Sequence, residues 1–182
     1  MRLFVSVDFE DVADTIEALQ EPLTGLPGVR PTDPEQAHVT VKFLGERDHD
    51  LEALSTALKR AIEEAGTEPF EATLGGVGAF PSEEYIRVVW AGVEAGATEI
   101  SELHRHVESE ATALGYDEGR HEFTPHVTLA RMEHAAEKAA VQRFLDEATP
   151  DVGPVRVEEL RLKESTLTDD GSEYRTVERF HL

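Results

Sequence analysis

The 182-residue chain contains no cysteine, which excludes disulfides, thiolate zinc sites and cysteine nucleophiles. Lysine is almost as scarce: Lys42, Lys59, Lys138 and Lys163 are the only four. No apolar run approaches the ~18 residues that a membrane helix needs. The start, MRLFVSVDFEDV, turns acidic by residue 8, too early for the apolar stretch of a signal peptide. These absences fit a cytoplasmic protein. Hydrophobic residues make up 40% of the chain, enough for a packed core. The length suggests one domain, residues 1–182, which can be built as two lobes.

Positive charge is also in short supply. Asp plus Glu number 38 against 17 Lys plus Arg, a net charge of −21. Such a surface is expected to repel nucleic acid at ordinary ionic strength. It suits a protein that works in molar salt, where the Debye length falls to about 3 Å. An extremely halophilic source is therefore expected, with a merely acidic soluble protein as the alternative.

Strand-like and helix-like segments follow one another along the chain. RLFVSVD (2–8) reads as a strand and residues 10–23 as a helix ending near Pro22. Residues 25–34 read as a Pro/Gly loop and 37–45 as a strand. A helix over 48–66 is closed by Gly66. Two strands, 70–80 and 85–93, are joined through PSEE, and a helix over 97–115 follows. The remaining readings are a strand at 123–131, a helix at 135–148, and strands at 152–166 and 174–182 with a turn at Asp170-Gly171. Hairpin-linked neighbours point to an α+β fold with antiparallel sheets.

One phrase is written twice. HVTV begins at His38 and HVTL at His126. Side chains alternate along a strand, so His38 and Thr40 share one face, as do His126 and Thr128, while the intervening aliphatics enter the core. A single such motif is usually structural; two in matching strand contexts suggest one cleft lined by two imidazoles and two hydroxyls. That set suits phosphoryl chemistry without a metal or cofactor: one ring as base, the other as acid, and hydroxyls donating to phosphate oxygens. Arg131 lies three positions beyond Thr128 and needs a bulge or strand end to point inward. If it does, its guanidinium can grip phosphate in two-pronged fashion.

Other motifs read as structural. GGVGAF (75–80) lacks the residues of a phosphate loop and reads as a bulge or close packing. HEFTPH (121–126) has the wrong spacing and a proline, so it is no helical zinc motif. His104 and His106 stand two apart on a helix and do not face each other. His49, His134 and His181 read as surface or strand-end residues, and Trp90 as core or cleft wall. Ser165 and Tyr174 are candidate substrate contacts.

With RLFVSVD, HVTVKFLG, GGVGAFP, VVWAGV, FTPHVTLAR and the ending LRLKESTLTDDGSEYRTVERFHL, nearly the whole chain resembles the 2H phosphoesterase superfamily. Within it, the RNA 2′,3′-cyclic phosphodiesterase family, formerly called 2′-5′ RNA ligases, is the most similar. The loop before His38, VRPTDPEQAH, lacks the aromatic that often sits there in that family. The resemblance implies two lobes around a groove, each an antiparallel sheet with flanking helices. It implies His38 as proton donor, His126 as proton acceptor, and Thr40, Thr128 and Arg131 as phosphate ligands. The implied substrate is RNA ending in a 2′,3′-cyclic phosphate, tRNA halves among them, acted on by a monomer. Ligation, cleavage of a small cyclic nucleotide and non-catalytic binding of RNA ends remain as alternatives.

Overall fold

The computed structural model describes Met1–Leu182. The chain forms ten strands and four α-helices. The strands are β1 (Arg2–Asp8), β2 (Val29–Pro31), β3 (His38–Glu46), β4 (Phe70–Ala72), β5 (Leu74–Pro81), β6 (Ile86–Val93), β7 (His126–Met132), β8 (Val155–Val157), β9 (Glu159–Thr168) and β10 (Gly171–His181). The helices are α1 (Ala13–Gln20), α2 (Leu51–Ala65), α3 (Ala97–Ala113) and α4 (Lys138–Glu147). All strand pairs are antiparallel. The α+β expectation holds.

Local chemistry explains the helix ends. The Asp50 carboxylate accepts from the Ala53 amide and starts α2, and Gly66, at φ +60°, closes it in the left-handed region. The expected helix over 10–23 is shorter: 3-10 turns flank α1 on both sides, the second containing Pro22. The helices expected over 48–66, 97–115 and 135–148 likewise lose residues at their ends.

The main sheet runs β10-β9-β1-β3-β7-β6-β5, with β2 added on β7; β4 and β8 form a separate ribbon. Two lobes meet at its centre. Strands β10, β9, β1 and β3 carry α2 and α3, whereas β7, β6, β5 and β2 carry α1 and α4. The lobes touch through β3 and β7 at one register pair, Val39 with Val127. The two HVT strands are thus neighbours at the seam. Beneath them lies a core containing Val39, Val41, Val127, Leu129, Leu58, Leu103 and Val107.

The structure corrects several boundaries. The expected loop at 25–34 contains β2, whose only buried residue is Val29. The expected strand at 70–80 breaks at Thr73 into β4 and β5, and that at 152–166 breaks at Glu158 into β8 and β9. Strand β7 begins at His126 rather than 123. The final turn falls on Asp169-Asp170, because Gly171 already pairs with Thr168. GGVGAF is a bulged strand, with Gly76 at φ +74° and a register shift between Leu74 and Val77. Gly78 lies under the Trp90 ring, where a Cβ would meet ring carbon at 2.3 Å.

Candidate active site

The two motifs are built alike. His38 Nδ1–H donates to the Gln36 carbonyl at 2.8 Å, and His126 Nδ1–H donates to the Thr124 carbonyl at 2.6 Å. Each tie fixes the ring through the backbone two residues earlier and leaves Nε2 for chemistry. The Thr40 hydroxyl lies 3.1 Å from His38 Nε2. Because β3 and β7 are antiparallel at Val39–Val127, each histidine stands across the seam from the other motif's threonine.

A bulge follows each motif. In the β1–β3 register, Val5 faces Lys42 and Ser6 faces Thr40, so Val41 is the extra residue. In the β6–β7 register, Val89 faces Ala130 and Trp90 faces Thr128, so Leu129 is the extra residue. Two consecutive residues are consequently buried in each strand, Val41-Lys42 and Leu129-Ala130. Alternation then resumes out of phase, and Phe43 and Arg131 emerge beside the histidines. The condition set by the sequence for Arg131 is met.

Polar side chains from the packed helices receive the displaced carbonyls. His104 Nδ1–H, on α3, donates to Val41 O at 2.7 Å; Gln20 Nε2, on α1, donates to Leu129 O at 2.9 Å. Each bulge is therefore satisfied from below.

The cleft between the lobes has a volume of about 1010 Å³. His38, Thr40, His126, Thr128 and Arg131 all line it, as do Ser165 and Tyr174. Aromatic rings flank both imidazoles. Phe4 and Tyr174 each lie 5.1 Å from the His38 ring, and Phe80 and Trp90 lie 4.9 and 5.9 Å from the His126 ring. Trp90, half-buried, packs behind His126. Phe43 was not singled out by sequence reasoning. It is 51% exposed, with the Arg2 guanidinium 5.0 Å above its ring. Its signal was the alignment of HVTVKF with HVTLAR, which makes it the counterpart of Arg131.

Charge is distributed differently here from the rest of the chain. Four arginines, Arg2, Arg30, Arg87 and Arg131, and four carboxylates, Asp33, Glu133, Asp170 and Glu173, line the cleft. Against a chain of 38 acids and 17 bases, that balance makes the cleft less repulsive to an anion than the chain's composition alone implies. Behind His38, Asp8 bonds Lys163 and Arg161, each at 2.7 Å.

Both imidazoles are held below their ordinary pKa, mainly by burial. At His38 the Gln36 carbonyl acts upward, Lys163 downward, Asp8 upward and the His126 charge downward. At His126 the Thr124 carbonyl acts upward and Arg131 downward. The mutual repulsion favours one charged ring at a time.

Comparison with known proteins gives the chain's family and fold. The family profile described as "2'-5' RNA ligase superfamily" matches residues 9–167. A protein of Aeropyrum pernix named RNA 2′,3′-cyclic phosphodiesterase is 37% identical over 155 residues, 85% of this chain and 86% of that one. One of the same name from Methanothermobacter thermautotrophicus is 33% identical, covering 100% of this chain and 99% of its own. A crystal structure from Thermus thermophilus superposes with a TM-score of 0.75 at 31% identity, covering 100% of this chain and 98% of the other. Escherichia coli LigT complexed with 3′-AMP gives 0.79 at 24% identity, covering 100% and 97%, a likeness of fold. With its profile matched over most of its length and such relatives spanning the remainder, the chain belongs to the 2′-5′ RNA ligase superfamily.

Proposed function

We propose that the cleft hydrolyses the 2′,3′-cyclic phosphate at an RNA end to a 2′-phosphomonoester, using its own side chains and no metal. The observation that carries this reading is the matched pair of imidazoles, each tied by Nδ1 to the backbone and presenting Nε2 to one cleft. His126 takes the proton of the attacking water as the new P–O bond forms. His38 gives its Nε2 proton to O3′ as the P–O3′ bond breaks. Thr40 and Thr128 donate to the non-bridging oxygens, where charge accumulates, and Arg131 supports them. The terminal base stacks against Phe43 beneath Arg2. Ligation uses the same site, with a 5′-hydroxyl in place of water.

The test is to digest a cyclic-phosphate-ended RNA and probe the product with a 3′-specific phosphatase. The expected terminus resists that phosphatase, and a 3′-phosphate overturns the assigned geometry. Excess EDTA is expected to leave the rate near its full value. Abolition by EDTA with rescue by one divalent ion overturns the metal-free reading.

We read residues 1–182 as one bilobal domain acting as a monomer in the cytoplasm; no helix is long and apolar enough to cross a membrane. tRNA halves are one RNA of the required chemistry. The net charge of −21 we read as adaptation to molar salt. Stability and activity are expected to rise from about 0.1 M to above 1 M KCl as repulsion is screened. A maximum of both at low salt removes the halophilic reading alone.

A further inference from the structure

The proposed activity leaves open what the cleft does with the rest of an RNA strand. In a ribose 2′,3′-cyclic phosphate the phosphate closes the C2′–C3′ edge. The base on C1′ and the C5′–O5′ arm on C4′, which carries the upstream phosphate, leave the ring on opposite flanks. The two strands supply two opposite ends. Phe43 lies four residues past Val39, and Arg131 lies four past Val127, on strands that run antiparallel through that pair. If the base stacks on Phe43, the strand leaves past Arg131.

A groove is waiting there. A second hollow of about 200 Å³ joins the cleft, sharing Arg87, Met132 and Glu133 with it and ending at Lys138. Its floor carries Tyr85, 58% exposed. Arg87 holds that ring: its Nε donates to the Tyr85 hydroxyl at 3.1 Å, and its guanidinium lies 5.3 Å from the ring centre. The segment carrying Tyr85 is fixed from both sides. The Tyr85 amide donates to Ser82 Oγ at 3.1 Å, and Gln142 on α4 donates to the Glu83 carbonyl at 2.9 Å. Two acids stand on this wall, Glu84 and Glu133, and Glu133 is already paired with Arg30 at 2.9 Å. Arg87, Arg131 and Lys138 make no ion pair, although the chain has more than two acids for every base.

We propose that this groove binds the nucleotides upstream of the cyclic end, with Arg87 and Lys138 facing backbone phosphates and Tyr85 stacking a base. An exposed, pre-positioned aromatic among unpaired cations is the arrangement that holds single strands without reading sequence. It makes the protein prefer an RNA strand to a nucleoside cyclic monophosphate. The inference rests on the proposed activity for its substrate.

The experiment compares kcat/KM for an oligoribonucleotide ending in a 2′,3′-cyclic phosphate with that for the matching nucleoside 2′,3′-cyclic monophosphate. Tyr85→Ala is expected to lower the RNA-to-mononucleotide ratio about fivefold or more, the low end of a lost base stack. Tyr85→Phe, which keeps the ring, is expected to restore most of it. An unchanged ratio in Tyr85→Ala, or an equal fall on both substrates, overturns the groove assignment. Anisotropy of a labelled RNA ending in a 2′-phosphate reads the groove without turnover. Affinity there is expected to fall in Tyr85→Ala, and equal affinity overturns the proposal. Absence of turnover of either substrate by the unaltered protein counts against the proposed activity, while the anisotropy still decides the groove.

Discussion

Replacing either His38 or His126 with alanine is expected to slow hydrolysis of a cyclic-phosphate-ended RNA by at least about 100-fold, the low end of what a positioned acid or base supplies. In-line displacement needs a base beside the entering oxygen and an acid beside the leaving one, on opposite sides of phosphorus. No other imidazole lines the cleft to replace either. Thr40→Ala and Thr128→Ala are expected to cost less, since each removes one donor while the other remains. The pH dependence carries a second signature. One ring must be neutral and the other charged, so kcat/KM is bell-shaped and reports the pair rather than either residue. Burial holds both imidazoles below their ordinary value of 6.5, so each ring keeps its proton only at lower pH. The kcat/KM optimum of the free protein is therefore expected on the acidic side of that value. A bound phosphodiester anion favours both protonated forms, so the kcat profile is expected at higher pH than the kcat/KM profile. Steady-state kinetics from pH 4 to 9 measure both, and near-normal turnover in the double alanine variant would remove the site altogether.

Asp8→Ala is expected to destabilise the fold by about 3–5 kcal/mol, because it strands the buried Lys163 ammonium. The Asp8 side chain is 5% exposed and its partners Lys163 and Arg161 are 7% and 13% exposed. Arg161 keeps Glu10 and Glu159, but Lys163 loses its only carboxylate. That penalty is a large share of the ~5–15 kcal/mol that holds a domain together. Molar KCl screens surface pairs and leaves a buried one largely intact, so the loss is expected to persist at high salt. Burial acts to raise the Asp8 pKa, but Lys163, Ser6 and Arg161 together hold it below its ordinary 3.8. The ion cluster's contribution is thus complete above pH 3.8 and is lost as pH falls through the lower folded value. Denaturant titrations of Asp8→Ala and the unaltered chain at matched salt measure the difference. Equal midpoints would show that the cluster is neutral to stability.

The repeated HVT phrase was legible because its chemistry needs only strand alternation, which a sequence displays directly. The long helices were legible for a similar reason: α2 announces itself by spacing and by Asp50 and Gly66 at its ends. What alternation could not supply was the phase after each bulge. Phe43 and Arg131 stand an odd number of residues beyond the histidines, so a regular strand turns them away. The extra residues Val41 and Leu129 look like ordinary strand aliphatics, and the groups that stabilise the bulges, His104 and Gln20, are distant in sequence. Strand β2 was missed because it has three residues, one of them proline, and pairs through β7 rather than through any pattern of its own. The lobe to which each helix belongs was hidden as well. Helix α3 follows β6 yet packs on β3, and α1 follows β1 yet packs on β7.

That interlacing fixes the order in which the molecule can be assembled on a ribosome. Strand β1 emerges first, and β3 can pair with it early through Val5 and Lys42. Its other edge, at Leu3, has to wait for Glu164 on β9. Throughout that interval a strand of Leu3, Val5 and Val7 offers bare amides and carbonyls to any other nascent chain. Closure between such distant partners is slow, since a long loop must be ordered before the contacts reward it. A chain stalled before β9 therefore carries an open edge on the lobe that holds His38, and its hazard is intermolecular pairing rather than simple loss of activity.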